Sequence, residues 1–225
     1  MISLGGDKDM RCISVGLDIG STTIKVVVLS EEGKMIDFQY VPHHYRVREE
    51  LQVVLRRLAE QFPLETMHLA ATGMGAMELS SVLKVPFVQE VVAEGLALRK
   101  YHQQVDVAIE LGGEDAKVTY FETNGKTDQR MNRMCAGGTG AFLEHMASFF
   151  GVTMEGLNHL AACGKKVYPI ASRCGVYATT DMQALLNQGV SRENLALSAF
   201  QAVVNQVISD LAKGRPLEGN VAFLG

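Results

Sequence analysis

SVGLDIGSTTIKVVVLSEEGKMIDFQYV, residues 14–41, is the stretch whose reading decides the fold. Apolar residues over 13–19 read as a strand, which runs into the turn Gly20-Ser21-Thr22. The β-branched residues that follow, over 23–30, read as a second strand. Glu31-Glu32-Gly33-Lys34 then reads as a hairpin turn into a third strand over 35–41. A Walker phosphate loop runs from a strand into a helix and carries Gly-Lys followed by Ser or Thr. Here the glycine loop leads into another strand, so the sequence predicts a phosphate-binding hairpin instead.

The same design returns in DVAIELGGEDAKVTYFETNGKT, residues 106–127. An apolar strand leads to an acidic residue, an apolar residue, glycine, polar residues, lysine and a β-branched strand, with Asn124-Gly125 as the hairpin signal. Between the two stretches, 45–62 has helical periodicity closed by Pro63, and 67–73 reads as a strand ending in glycine. A helix near 75–84, a strand over 86–90 and a helix over 90–102 follow. Strands alternating with helices predict an α/β fold, and the repeat predicts an internal duplication. The expected organisation is an N-terminal extension over 1–12, a first half-domain over 13–104 and a second over 105–225. Helices are expected near 138–150, 153–163, 177–188 and 191–213, before the apolar strand NVAFLG.

Composition narrows the class. A formal net charge of -4 over 225 residues argues against a dedicated nucleic-acid binder, which usually shows a basic excess. The apolar runs are of strand length, which argues against a membrane span, and MISLGGDKDMRC lacks the apolar core of a signal peptide. The expectation is a cytoplasmic protein with neither nucleic acid nor membrane as a partner.

Three glycine loops can serve phosphate: Asp18-Ile19-Gly20-Ser21-Thr22-Thr23, Glu110-Leu111-Gly112-Gly113-Glu114-Asp115 and Gly137-Gly138-Thr139-Gly140. Glycine lets backbone N–H groups approach phosphate oxygens, while Ser21, Thr22 and Thr139 add hydroxyl donors. Lys25 either reaches a phosphate or points to solvent. Asp18, Glu110 and Asp115 would repel phosphate directly, and make sense if Mg2+ and its waters lie between. A helix starting near Gly138 would aim its positive end at the same anion. Any one of these loops alone reads equally well as a tight turn.

The four cysteines are Cys12, Cys135, Cys163 and Cys174. Their bland reading is four buried small hydrophobes, and a disulfide framework does not suit a cytosolic chain. Cys135 precedes the third glycine loop, and Cys174 precedes the helix expected after IASRCGVYATTD. A helix start favours a thiolate through its dipole, and Arg133 and Arg173 add positive charge nearby. A redox pair, a metal site and a nucleophile all remain open on these residues. No CxxC spacing supports zinc. Two cysteines are half the usual thiolate set of an iron–sulfur cluster, and a two-fold dimer would supply the other half.

GLDIGSTTIKVVVL, IELGGEDAKV and MCAGGTGAFLE together resemble the acetate kinase, sugar kinase, Hsp70 and actin superfamily of ATPases. With the later SRCGVYA, the chain resembles the activators of 2-hydroxyacyl-CoA dehydratases and the related ATPase subunits of benzoyl-CoA reductase, over about residues 13–225. The resemblance implies a duplicated ribonuclease H-like (actin-like ATPase) fold, two half-domains with a nucleotide cleft. It implies ATP or ADP and Mg2+ as cofactors, with Asp18, Glu110 and Asp115 in catalytic roles. Nucleotide binding would fall to Gly20, Ser21, Thr22, Thr23, Lys25, Gly112, Gly113, Gly137, Gly138, Thr139 and Gly140. It also implies one 4Fe-4S cluster bridging a homodimer through Cys135 and Cys174, a ferredoxin or flavodoxin as electron donor, and a dehydratase or reductase component as acceptor. Cys12 and Cys163 match no ligand position.

Two departures accompany the resemblance. Family members commonly carry Asp where this chain has Glu110, and Ala at the first glycine of the pair in the third loop. The family also continues past the last strand with a Gly-Gly turn that helps hold adenosine, so the sequence reads as C-terminally truncated. A small-molecule kinase of the same superfamily is the competing reading; it would need a base such as Asp115 and gives no reason for Cys135 and Cys174. A filament-forming actin-like module would carry long surface insertions, and the sequence has none.

Overall fold

The computed structural model describes residues 12–63, 66–122, 125–132, 138–172 and 174–225. It divides into two compact units, one reaching to Tyr101 and the other starting at His102.

In the first unit, β1 (Cys12–Ile19), β2 (Thr23–Leu29), β3 (Met35–Pro42) and β4 (Thr66–Thr72) form a sheet of order β3-β2-β1-β4. β1 and β2 pair antiparallel, as do β2 and β3, while β4 runs parallel to β1. Alternation puts Val15, Leu17 and Ile19 of β1 on the same buried face as Ile24, Val26 and Val28 of β2. Helix α1 (Val47–Gln61) buries Leu51, Val54 and Leu58 in the same core, a stripe at helical spacing. Each such side chain stabilises by about 1.5–3 kcal/mol when fully buried. Helices α2 (Ala76–Leu83) and α3 (Glu90–Tyr101) complete the unit. The strand expected over 86–90 is reduced to a single parallel bridge between Ala71 and Phe87. Pro86 accepts from the Ala71 N–H through its carbonyl but has no N–H of its own to extend a ladder.

The second unit repeats the plan. β5 (Val107–Leu111), β6 (Ala116–Phe121), β7 (Thr127–Met131) and β8 (Val221–Leu224) form a sheet of order β7-β6-β5-β8, with β8 parallel to β5. The repeat extends to hydrogen bonds. Ser30 N–H donates to Lys34 O and Gly33 N–H to Ser30 O; Glu122 N–H donates to Lys126 O and Gly125 N–H to Glu122 O. Asn124 itself, half of the expected hairpin signal, lies outside the described residues.

Helices α4 (Gly140–Phe150), α5 (Met154–Cys163), α6 (Gly175–Asn187) and α7 (Arg192–Gln206) build a second core. Phe142, Met146 and Phe150 of α4 meet Leu157 of α5, Met182 of α6 and Leu195 of α7 there. Thr153 caps α5 by accepting from Gly156 N–H, and Ser191 caps α7 by accepting from Asn194 N–H. The helix expected over 191–213 changes character at Gln206, where a π-helical segment, Val207–Ala212, takes over. By length and composition Arg192–Ala212 is long and apolar enough to cross a membrane, with a mean hydropathy of 1.3 over its best window. Just over half of that window, 56%, is buried within the fold, where Leu195, Ala199 and Val203 pack as core.

The π segment is anchored at its far end. Arg130 on β7 donates to the carbonyls of Leu211 and Ala212. Asp128 accepts from Arg130 at 3.0 Å and from Arg215 at 2.8 Å, and the Arg215 guanidinium stacks 4.0 Å from the centre of the Tyr120 ring. Burial pushes the Asp128 carboxyl up, but the hydrogen bonds and charges of Arg130 and Arg215 together outweigh it and hold the group below the ordinary aspartate value.

Candidate functional site

Asp18 stands one residue before the end of β1, and the register sets it opposite Lys25. The Lys25 Nζ lies 3.3 Å from Asp18 Oδ2, with the two side chains 35% and 27% exposed. Lys25 is thus open to solvent, as one of the sequence alternatives had it, and is also paired with Asp18. Gly20 N–H donates to Thr23 O at 2.9 Å and closes a tip of two residues, Ser21 and Thr22. The N–H groups of Ser21 and Thr22 make no hydrogen bond among the described residues. The donors left for an anion are thus these tip amides, since Gly20's own N–H closes the turn. Thr23 is buried at the start of β2.

A residue that the sequence reading did not place in the site supports this turn. Adjacent residues such as His43 and His44 would face opposite sides of a strand, but β3 ends at Pro42. His43 is 2% exposed, and its N–H donates to Thr22 O at 3.1 Å. Its Nδ1 accepts from Tyr45 N–H at 3.2 Å, so Nε2 carries the proton and donates to Gly20 O at 3.1 Å. The chain turns away through positive φ at His44 and Tyr45. The signal lay in the hairpin itself: pairing Thr23 with Pro42 delivers the next residue beside the glycine turn.

The second turn copies the first. Glu110 faces Lys117 in the β5–β6 register, and Gly112 N–H donates to Asp115 O at 2.8 Å, leaving Gly113 and Glu114 at the tip. Here the ion pair is buried: Lys117 Nζ lies 2.9 Å from Glu110 Oε2, with side chains 4% and 15% exposed. Glu110 is thus committed to Lys117. The half-buried Asp115 carboxylate makes no hydrogen bond or ion pair among the described residues.

The third loop joins the second. Gly140 N–H donates to Gly112 O at 2.9 Å and Ala141 N–H to Gly113 O at 2.7 Å. The first amides of α4 are therefore spent on the second turn, and are not free for phosphate as the sequence suggested. Glycine suits position 140, because a Cβ there would stand a tight 3.1 Å from Gly112 O. Thr139 is fully buried as the N-cap of α4. Gly137 and Cys135 lie outside the described residues.

Cys174 is the N-cap of α6, half-buried, in extended backbone, and makes no side-chain capping bond. The start of α6 lies beside α4: a Cβ on Gly175 would sit 3.7 Å from the Phe142 ring, and His145 Nε2 meets Thr179 Oγ1 at 3.0 Å. Helix α4 therefore touches both the second glycine turn and the helix that Cys174 begins. Of the other cysteines, Cys12 is half-buried, 3.7 Å from His68 Nε2, while Cys163 is exposed and does not serve as a core residue. Among the described residues, no group of three or more His, Cys, Asp and Glu side chains gathers to hold a metal.

Comparison with known proteins adds to this geometry. The family model described as BadF/BadG/BcrA/BcrD ATPase family matches residues 15–225. The (R)-2-hydroxyglutaryl-CoA dehydratase activating ATPase of Acidaminococcus fermentans is 27% identical over 207 residues, covering 88% of this chain and 77% of its own. The crystal structure of component A of that organism's dehydratase superposes with a TM-score of 0.81 at 25% identity, over 94% of this chain and 82% of its own. The activator of the 2-hydroxyisocaproyl-CoA dehydratase from Clostridium difficile, with bound ADPNP, gives a TM-score of 0.81 at 26% identity, over 96% of this chain and 80% of its own. The two four-stranded sheets are those of the actin-like ATPase fold to which these structures belong.

Proposed function

Because the chain belongs to the BadF/BadG/BcrA/BcrD ATPase family, we propose that it is an ATP-dependent activator of a 2-hydroxyacyl-CoA dehydratase or related reductase. It would act in the cytoplasm as a homodimer, receive electrons from a ferredoxin or flavodoxin, and pass one on at low potential. A single observation carries this reading: α4 is bonded to a phosphate-type turn through Gly140 and Ala141, and packs through Phe142 against the helix that starts at Cys174. One helix thus connects a nucleotide turn to a cysteine at a helix start.

The donor set fits the implied groups. Cys174 offers a half-buried thiol free of capping duty, and with Cys135 it supplies two of four thiolates, a second copy supplying the others. A 4Fe-4S cluster bound there supplies a one-electron reservoir. Asp115, whose carboxylate is unpaired among the described residues, and Asp18, in a solvent-open pair, are the carboxylates suited to Mg2+ and its waters.

The chain's own residues then divide the work. The amides of Ser21 and Thr22 bind phosphate oxygens, and Lys25 exchanges Asp18 for phosphate charge. Asp115 orients the attacking water and takes its proton. Nucleotide states that bind the second turn unequally shift the start of α4, and with it the start of α6.

The test is an anaerobic iron and sulfide assay joined to a native mass measurement and an ATP hydrolysis assay. Four irons and four sulfides per dimer, lost together with dimerisation in Cys174→Ala, are expected. Iron content and dimer mass unchanged in that variant would sink the cluster assignment. ATP consumption seen only with a sugar or carboxylic acid acceptor would establish the kinase reading instead.

A further inference from the structure

Gln206 ends α7, and the π-helical segment begins at the next residue. Its side chain is 5% exposed, and its carbonyl Oε1 is buried with no hydrogen-bond partner among the described residues. Buried acceptors are seldom left unpaired in folded proteins, because the desolvation of the carbonyl is then uncompensated. The side chain lies directly against the third glycine loop. A Cβ on Gly138 would stand 2.7 Å from Gln206 Cγ, 2.9 Å from its Cβ and 3.6 Å from its Cδ, so only glycine leaves room for the glutamine there. Gly138 has φ +79°, and its N–H makes no hydrogen bond among the described residues. A buried acceptor without a donor and an amide without an acceptor therefore lie on the two sides of one contact.

The π segment bears on this contact. A π turn inserts extra backbone into a helix, redirects the side chains at its start and recurs at functional sites. Its far end is held by Arg130 on the carbonyls of Leu211 and Ala212, and its near end is Gln206.

We propose that Gln206 is a positioning residue of the third glycine loop, its buried side-chain carbonyl becoming the acceptor of the Gly138 N–H when a nucleotide phosphate occupies the loop. The inference rests on the nucleotide-binding reading above and adds to it a residue outside the three loops. In the structure the pair is unmade. Phosphate draws the loop in, the orphaned carbonyl gains its donor, and part of the nucleotide's affinity comes from that bond. Glutamine is touched by no phosphate in this scheme; it acts through Gly138.

The experiment uses the whole chain with ADPNP and Mg2+. Gln206→Met keeps length and volume but removes the acceptor, and Gln206→Leu serves as a second removal. The expected result is a nucleotide-free unfolding midpoint equal to or above wild type, because an unpaired buried carbonyl has gone. ADPNP is expected to bind about tenfold more weakly, equivalent to about 1.4 kcal/mol. Hydrogen exchange at Gly138 is expected to slow on ADPNP addition in the wild type and to stay fast in both variants. Wild-type affinity in both variants overturns the proposal and leaves the nucleotide reading standing. So does a wild-type Gly138 amide whose exchange ADPNP does not slow, a measurement that depends on no variant folding. A wild-type chain that binds no ADPNP overturns both, and that outcome is visible before any variant is made.

Discussion

The two glycine hairpins share a backbone and a charge pair but differ in how far that pair is buried. In each, an acidic residue faces a lysine across the strands, and a glycine N–H closes a two-residue tip. The Asp18–Lys25 pair is held at 3.3 Å in a solvent-open position, whereas Glu110–Lys117 is held at 2.9 Å and is nearly dry. An exposed pair contributes little and exchanges partners readily, while a buried pair tolerates no loss of either member. On the proposed function, Lys25 is the lysine that would exchange its partner for a phosphate, while Lys117 stays a buried counter-charge to Glu110. The two hairpins share a geometry and differ in how dry their ion pairs are.

The largest effect expected from this division is at Asp115, which follows the second tip and whose carboxylate has no partner among the described residues. Asp115→Asn should lower ATP turnover by about 10²–10⁴-fold, the usual contribution of a positioned base, with the unfolding midpoint unchanged. Turnover within a factor of three of wild type would move the catalytic role elsewhere. Next comes the buried pair. Lys117→Met leaves Glu110 charged and unpaired, and should cost about 3–5 kcal/mol in urea unfolding. A loss under about 1 kcal/mol would show that the second pair is no more buried in solution than the first.

Lys25→Met is the counterpart. Its effect on stability should stay within about 1 kcal/mol, while ADPNP affinity should fall roughly ten- to a hundredfold, as for one hydrogen bond to a charged group. Equal losses of stability in Lys25→Met and Lys117→Met would erase the distinction between the hairpins. The smallest effect belongs to Asp128, which fastens β7 to the π segment through Arg130. Its carboxyl is held below the ordinary aspartate value, so its contribution is present above that value and is lost as pH falls through the lowered one. Asp128→Asn should flatten the acid limb of the stability curve by less than about 1 kcal/mol, since the pair is about a third exposed. An unaltered acid limb would remove Asp128 from the anchoring.

Much of this was legible in the sequence because strand pairing is local where a hairpin is tight. Apolar alternation over 13–19 and 23–30 set which residues face the core, whereas the pairing of Asp18 with Lys25 emerged only from the strand register. Helix α6 started two residues earlier than its expected range, which made Cys174 an N-cap in fact. The strand over 86–90 failed because periodicity does not count donors, and Pro86 withholds one. His43 was readable only as one of two adjacent histidines. Its service to Gly20 needs the chain to reverse at His44 and Tyr45, and no periodic pattern encodes that turn. Gln206 was invisible for a related reason: a π turn leaves no mark in hydrophobic spacing, and the contact with Gly138 joins residues far apart in the chain.

What the sequence determined by itself was the duplicated α/β plan, the three glycine loops and the placing of Cys174 before a helix. These follow from local rules, where neighbours in the chain are neighbours in space. What only the tertiary structure decided was which charges are dry and which amides are spent. Lys25 and Lys117 occupy the same place in two matching motifs, yet burial separates them. The start of α4 was offered to phosphate by sequence, and packing gives its Gly140 and Ala141 amides to Gly112 and Gly113. Burial and long-range hydrogen bonding are properties of what surrounds a residue, and those surroundings exist only once the chain has folded.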